Sequence, residues 1–224
     1  MVIHTANLSW HWPDAGGSLH FPDIRLPAGD HLFVRGPSGS GKSTLLSLLS
    51  GLNRAVDGRI EVHGQDMKQL SGAARDRVRA DYTGVIFQQL NLVPYLSAVD
   101  NVMLPCRLST TRRQKAGEPE QAARALLGAL DLPESVCRRK PATLSTGQQQ
   151  RVAAARALIG APPLILADEP TSALDTDNRD RFIELLLARA ADHGTSVVFV
   201  SHDPGLASHF THHLELGAGG EAKP

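Results

Sequence analysis

Apolar residues recur along the chain in short runs of different period. From Val2 to Trp12 apolar and polar residues partly alternate, which predicts a strand with one buried face. Residues 164–167 (LILA) and 195–200 (TSVVFV) are nearly continuous apolar runs, typical of strands buried in a parallel sheet. Shorter strands are predicted at residues 31–34, 58–63 and 84–87.

Helical spacing appears between these strands. In the segment 42–52, leucines at positions 45, 48, 49 and 52 recur on one face, which predicts an amphipathic helix. A second amphipathic helix is predicted over 178–191. Residues from about 91 to 160 are mostly helical in pattern, with proline interruptions, and 118–130 is the clearest helix among them.

This order of elements predicts an α/β fold split by a helical insertion. We expect a single domain over residues 1–224, in which 1–90 and 161–216 form the α/β core. Residues from about 91 to 160 form the predicted helical subdomain, and 217–224 form a frayed tail.

Composition narrows the function classes. Lys plus Arg and Asp plus Glu both number 23, so bulk charge gives no reason to expect binding to nucleic acid. No uninterrupted apolar run reaches the roughly 18 residues of a membrane span, and the first ten residues lack signal-peptide features. Cys106 and Cys137 have no metal-ligand spacing and are expected to be reduced thiols.

A glycine-rich loop follows the predicted strand at 31–34. The segment 36–43 (GPSGSGKS) matches the phosphate-loop pattern G-x-x-x-x-G-K-[ST], whose backbone N–H groups surround phosphate oxygens at a helix N-terminus. Lys42 can reach the β- and γ-phosphates, and the Ser43 hydroxyl can ligate Mg²⁺. The candidate nucleotide-binding residues are Gly36, Pro37, Ser38, Gly39, Ser40, Gly41, Lys42, Ser43 and Thr44.

Two adjacent acids end the apolar strand at 164–167. At the carboxyl end of a strand, Asp168 can hold Mg²⁺, and Glu169 can orient or deprotonate an attacking water. His202, after the strand at 195–200, can donate a hydrogen bond to a γ-phosphate oxygen. The other histidines near the chain end, at 209, 212 and 213, are expected to form a solvated segment without metal.

These motifs, taken in order, resemble those of the ATP-binding cassette ATPases over nearly the whole chain. Segment 36–43 is similar to the Walker A loop, and Asp168 with Glu169 completes Walker B. Gln88 resembles the Q-loop glutamine. The remaining matches are residues 144–148 (LSTGQ) with the signature motif, 172–175 (SALD) with the D-loop, and His202 with the switch histidine.

The resemblance implies a fold, cofactors and a partner. It implies a P-loop NTPase core with a mixed sheet and helices, an inserted α-helical subdomain and an N-terminal antiparallel β part. ATP and Mg²⁺ are the implied cofactors, with Gln88 sensing the γ-phosphate and the metal. Two copies pair head to tail around two ATP molecules, each signature motif facing the other copy's phosphate loop. The residues that would contact the nucleotide from that side are Ser145, Thr146, Gly147, Gln148 and Asp175.

Thr146 departs from the family pattern, which has Gly at this position. A β-branched residue poorly tolerates positive φ, so we predict a negative φ and a backbone N–H offered as the usual Gly would offer it. Family members also stack an aromatic residue on adenine. Trp12 is the matching position and Trp10 the alternative, because both fall on the same face of the predicted strand.

Cassette proteins differ in whether a membrane domain is fused to the cassette, and this difference indicates the kind of protein. One cassette without a fused membrane domain indicates an ATPase subunit that drives a separate membrane permease from the cytoplasmic face. Segment 88–105 resembles the subgroup that serves lipoprotein release and macrolide or peptide export. Apolar residues Leu92, Val93, Tyr95 and Leu96 either receive the permease or pack the helical lobe.

Two other functions stay open at the level of sequence. One is a cassette ATPase of a soluble or division-site complex, and the other is a subunit of an amino-acid-type importer. A neighbouring gene that encodes a permease with four predicted membrane helices would favour transport.

Overall fold

The computed structural model describes residues 1–12, 15–55, 57–172 and 174–217, without the side chains of residues 12 and 15–17. The strands are β1 Ile3–Trp12, β2 Ala15–His20, β3 Arg25–Leu26, β4 His31–Arg35, β5 Asp57–Val62, β6 Gln65–Asp66, β7 Thr83–Ile86, β8 Leu164–Asp168, β9 Ser196–Ser201 and β10 His212–Glu215. The helices are α1 Lys42–Leu49, α2 Gly72–Tyr82, α3 Ala98–Leu108, α4 Thr110–Ala116, α5 Pro119–Ala129, α6 Thr146–Leu158 and α7 Thr176–Ala191.

The strands form two sheets of opposite character. One is wholly parallel, in the order β10-β4-β9-β8-β7. The other is antiparallel, in the order β2-β1-β5-β6 with β3 also paired to β1. The predicted fold class is confirmed, with the parallel and antiparallel strands divided between separate sheets.

The parallel register aligns the carboxyl ends of four neighbouring strands. Arg35 at the end of β4 pairs with Ser201 at the end of β9, and Asp168 at the end of β8 pairs with Val200. Ile86 at the end of β7 pairs with Ala167. The segments that follow these strands therefore leave the sheet along one edge, where open α/β sheets bind their ligands.

Both faces of the parallel sheet are buried, as the continuous apolar runs predict. Along β8, Leu164 and Leu166 face the core shared with α1 and the antiparallel sheet, whereas Ile165 and Ala167 face the core shared with the helices between β7 and β8. The alternation follows the two-residue period of a strand. The helical part thus shares a continuous apolar core with one face of the sheet.

A glycine lets helix α6 approach this sheet closely. A Cβ on residue 84 in β7 would lie 2.3 Å from the carbonyl oxygen of Ala157 in α6. Only glycine accommodates that contact without moving the backbone. The carboxyl end of α6 is thereby seated on β7, the strand that precedes Gln88.

One sequence-based detail of the helices is wrong. Helix α1 ends at Leu49, so Leu52 lies beyond it with 54% of its surface exposed, and of the four predicted leucines those at 45, 48 and 49 are buried. Helix α6 begins at Thr146, because Ser145 caps it. The predicted tail lies outside the described residues apart from Gly217. Among the described residues, helices long and apolar enough to cross a membrane are absent.

Candidate functional site

An open cleft of about 600 Å³ lies at the carboxyl edge of the parallel sheet. The loops after β4, β7, β8 and β9 supply its walls because those strands end together. The lining residues are Ser38, Gly39, Gly41, Lys42, Ser43, Thr44, Gln88, Asp168, Glu169 and His202. Residues separated by more than 150 positions along the chain therefore meet at one place.

The phosphate loop has the backbone that its glycines predict. Gly39 and Gly41 have φ values of 80° and 91°, in the left-handed region that side chains disfavour. Gly41 caps the N-terminus of α1, which opens into the cleft. The loop therefore presents backbone N–H groups and the positive end of a helix to the same space.

The Lys42 side chain lies inside this loop. Its ammonium donates to the carbonyl oxygens of Gly36 at 2.7 Å and Pro37 at 2.8 Å, which leaves one of its three N–H donors for a phosphate oxygen. Ser40 is buried beneath the loop, and its Oγ has no hydrogen-bond partner among the described residues.

Oxygen donors suited to Mg²⁺ lie beside the lysine. Ser43, Asp168 and Gln88 all line the cleft. Burial raises the pKa of Asp168, the neighbouring Ser43 hydroxyl opposes that rise, and the Glu169 charge adds to it. A hydroxyl, a carboxylate and an amide are hard ligands of the kind that Mg²⁺ prefers, so this set fits the ion.

Glu169 and His202 are in contact across the cleft. His202 Nδ1 lies 3.2 Å from Glu169 Oε2, and the histidine side chain is 64% exposed while the glutamate is 18% exposed. Glu169 has a φ of 44°, an uncommon backbone for a non-glycine residue, held by its N–H bond to the Val200 carbonyl oxygen at 3.0 Å. Such backbone positions cluster at functional sites.

The signature segment forms a capped helix start away from the cleft. Ser145 Oγ accepts from the Gln148 N–H at 3.3 Å, and Gln148 Oε1 accepts from the Ser145 N–H at 3.1 Å, which makes a capping box. The capping interaction uses an oxygen lone pair, so the Ser145 hydroxyl hydrogen is still free to donate. None of Ser145, Thr146, Gly147 and Gln148 lines the cleft.

Thr146 occupies the first helical position of α6, with negative φ as predicted. The first N–H groups of a helix have no partner within it, so those of Thr146 and Gly147 point outward as donors. Ser145 and Thr146 are exposed, so the start of this helix and its N–H donors face solvent.

Asp175 caps the next long helix. Its carboxylate accepts from the Asn178 N–H at 3.0 Å, and this hydrogen bond lowers the pKa of Asp175. Leu174, beside it, lies 3.5 Å from the position that a Cβ on residue 147 would take. The segment at 172–175 and the signature segment therefore adjoin; residue 173 lies outside the described residues.

Of the two tryptophans predicted as candidates for stacking on adenine, only Trp10 has a described side chain. The Trp12 side chain lies outside the described part of the structure, so its predicted contact with adenine stays a prediction. Trp10 is half-buried against the core around α1 and the antiparallel sheet. The pairing register of β1 with β2 shifts between His11 and Trp12, which interrupts the regular alternation assumed for this strand.

Sequence reasoning missed two arginines, one buried and one partly buried, that fix the helical part. Arg112 is 2% exposed and donates to the carbonyl oxygens of Ala157 at 2.6 Å and Thr83 at 3.3 Å, and also to that of Ile159. It thus satisfies carbonyls at the end of α6 and joins them to β7. Burial lowers the pKa of Arg112 to about 10, so it stays charged at neutral pH.

Arg156 joins the signature helix to the segment after Gln88. It donates to the carbonyl oxygens of Asn91 at 2.7 Å and Leu90, two residues whose φ values of 47° and 54° are left-handed. Burial lowers the pKa of Arg156. The sequence signal for this contact is an arginine placed directly after three alanines in the buried part of the helix, where an unpaired charge is costly.

The remaining candidates are structural. Both cysteines are free and buried, and burial raises the pKa of each thiol. His212 Nε2 lies 2.8 Å from Asp30 Oδ2, and His209 lies 3.9 Å from an Asp180 carboxylate oxygen. In the described ranges, clusters of three or more His, Cys, Asp or Glu side chains able to hold a metal ion are absent.

A second, more apolar groove of about 350 Å³ lies behind the cleft between α2, β7, α3 and the end of α6. It is lined by Phe87, Leu104, Pro105, Leu108 and Arg156 among others, and Leu108 is 76% exposed. The earlier candidates Leu92, Val93, Tyr95 and Leu96 do not line it, although Tyr95 is 74% exposed. Leu92 packs against the core instead.

Two models of known protein families match parts of the chain that contain these site residues. The family model described as ABC transporter matches residues 19–172, which include the phosphate loop, Gln88, the signature segment and both acids. A model described as an AAA domain, putative AbiEii toxin of a Type IV TA system, matches residues 138–208.

Individual relatives cover most of the chain. The uncharacterized ABC transporter ATP-binding protein YbbA of Escherichia coli is 40% identical over 87% of this chain and 83% of its own length. The lipoprotein-releasing system ATP-binding protein LolD of Hydrogenovibrio crunogenus is 37% identical over 98% of this chain and 95% of its own length. The solved dimer of the cassette MJ0796 from Methanocaldococcus jannaschii, bound to ADP and Pi, superposes with a TM-score of 0.86 at 32% identity, covering 99% of this chain and 97% of that one.

Proposed function

The chain belongs to the ABC transporter family of ATP-binding proteins, and from this premise we propose that it powers a separate membrane permease of the export type. The observation that carries the proposal is the meeting of Lys42, Asp168 and Glu169 in one cleft with Gln88 and His202. Relatives named as lipoprotein-releasing ATP-binding proteins make lipoprotein release the leading cargo class.

The proposed hydrolysis follows from the charges and donors around the cleft. Lys42 and the loop N–H groups bind the phosphates of ATP and hold the γ-phosphate beside Glu169. Ser43, Gln88 and Asp168 would hold Mg²⁺, which when bound would neutralise phosphate charge. Glu169 uses the carboxylate oxygen not turned to His202 to take a proton from water, and His202 donates to the γ-phosphate that is being cleaved.

The second half of each site comes from a second copy of the chain. Ser145 and the N–H groups of Thr146 and Gly147 lie outside the cleft, and they present free donors at a helix N-terminus. A head-to-tail pair would bring them onto the partner's ATP, with Asp175 and Leu174 beside them. The solved relative MJ0796 is a dimer, which supports this arrangement.

The groove behind the cleft is the proposed contact with the permease. Phe87, which is 36% exposed, lines the groove, and the next residue, Gln88, lines the nucleotide cleft. Arg156 lines the same groove while it holds the carbonyls of Leu90 and Asn91. An apolar permease segment seated there would press on the loop that carries Gln88, from the cytoplasmic face of the membrane.

The Leu108→Glu variant tests this contact. The assay uses proteoliposomes that contain the membrane protein encoded beside this chain. We expect the affinity of the variant for that membrane protein to fall about tenfold or more, because the substitution places a charge in an apolar contact. The basal ATPase of the free chain should change by less than about twofold, since Leu108 is an exposed residue outside the cleft. The measurement is permease-stimulated phosphate release against subunit concentration.

Ala191→Glu supplies the matched control, because residue 191 is exposed at the end of α7 and outside the groove. It should retain full stimulation. Equal loss in both variants would contradict the groove as the contact. Stimulation only by soluble partners, with no membrane protein required, would favour the alternative of a cassette ATPase in a soluble complex. Stimulation only with an amino-acid-type permease would favour the importer.

A further inference from the structure

The loop that carries His202 is held by a contact from helix α7. We propose that Arg179, through an ion pair with Asp203, positions His202 against Glu169, and that the pair is needed for hydrolysis although neither residue touches the nucleotide. The inference rests on the roles proposed above for Glu169 and His202.

His202 itself has little to fix it. Its side chain is 64% exposed, and its ring is in contact with Glu169 at 3.2 Å. It stands between the end of β9 at Ser201 and a 3₁₀ turn, Pro204–His209. An exposed imidazole on a short loop keeps one position only when the backbone on both sides is anchored.

Asp203 supplies that anchor through three contacts. Its N–H donates to Ser201 Oγ at 3.1 Å, and its Oδ1 accepts from the Gly205 N–H at 2.8 Å. Its Oδ2 accepts from Arg179 Nη1, which comes from α7. The first two contacts shape the loop locally, whereas the third ties it to an element 24 residues earlier in the chain.

Arg179 is itself held in place. It is 17% exposed, its Nε donates to Asp180 Oδ1 at 3.1 Å, and its backbone N–H bonds to the Asp175 carbonyl oxygen at 2.9 Å. A planar guanidinium engaged with two carboxylates has a defined orientation, unlike a lysine. The arginine stands one helical turn from Asp175, the cap of α7.

Two routes therefore join the loops that bear Glu169 and His202. One is the direct hydrogen bond between these side chains. The other is the ion pair that joins Asp203 to Arg179 in α7, the helix that follows Glu169 along the chain. Because α7 begins at the segment proposed to face a second copy, a shift of that segment on pairing would be passed to His202.

The Asp203→Asn variant tests the ion pair with Arg179 without removing the local hydrogen bond to Gly205. The asparagine keeps an acceptor for the Gly205 N–H but loses the charge that pairs with Arg179. We expect kcat for ATP to fall about tenfold or more while KM stays near the wild-type value, since misplacing a catalytic group by about 1 Å costs up to roughly 10²-fold. Arg179→Gln should behave alike, and the double variant should lose no more than either single variant.

Asp131→Asn is the matched control. Asp131 forms an ion pair at 3.0 Å with Arg181, which lies on α7 as Arg179 does. Both Asp131 and Arg181 are exposed, and the substitution removes the same charge as Asp203→Asn. This variant should keep the wild-type kcat. Additive losses in the Arg179→Gln/Asp203→Asn variant, or a KM that rises with an unchanged kcat, would overturn the positioning role. If His202→Ala hydrolyses ATP normally, the role of His202 fails; if it does not but Asp203→Asn does, only the inference fails.

Discussion

The Glu169→Gln variant is expected to lose about 10² to 10⁴ in kcat for ATP hydrolysis, the usual contribution of a positioned general base. Glutamine has the same shape and can keep a hydrogen bond to His202, but it cannot accept a proton from water. Removal of its charge also eases repulsion with Asp168 next to it, so ATP binding should persist or strengthen. Phosphate release under saturating ATP measures the loss.

The same variant should trap the paired state. With ATP and Mg²⁺ it should migrate as a dimer in light-scattering chromatography, whereas the wild type returns to monomer as it hydrolyses. Glu184→Gln, at an exposed position on α7, makes the same chemical change away from the cleft and should leave kcat unaltered. Near-normal hydrolysis in Glu169→Gln would remove Glu169 as the base. A Glu169→Gln variant that neither hydrolyses ATP nor dimerises would contradict the two-copy site.

The Arg112→Met variant is expected to lower the free energy of unfolding by about 2–4 kcal/mol, because buried carbonyl oxygens lose a charged hydrogen-bond donor. Methionine fills similar space but leaves the carbonyl oxygens of Thr83, Ala157 and Ile159 without this donor. Buried carbonyls that lose a partner each cost about 1–3 kcal/mol before relaxation. Urea unfolding followed by circular dichroism measures the change.

Arg113→Met is the control for this result. Residue 113 is the exposed neighbour on the same helix, and its replacement should change stability by less than about 0.5 kcal/mol. Similar losses in both variants would mean that helix α4, and not the buried hydrogen bonds of Arg112, sets the effect. If the free energy of unfolding is unchanged in Arg112→Met, the end of α6 is held by packing alone.

Local patterns were enough for most strands and for the phosphate loop. Their spacing is set by neighbouring residues: a glycine-rich loop with left-handed backbone at 39 and 41, and an apolar strand that ends at two acids. The predicted negative φ of Thr146 also depends only on the preference of a β-branched residue. In contrast, the expected buried face at Leu52 failed, because the helix stopped before that residue.

The sequence by itself therefore determined the phosphate loop, the two acids after β8, His202 after β9 and the alternation of strands with helices. Only the tertiary structure decided which charged side chains are buried and what they hold. Arg112 reaches carbonyls up to 47 positions away, and Arg179 reaches Asp203 across 24. Hydrophobic periodicity reports the burial of single positions, whereas these contacts depend on how two elements pack together, and no local pattern specifies that distance or direction.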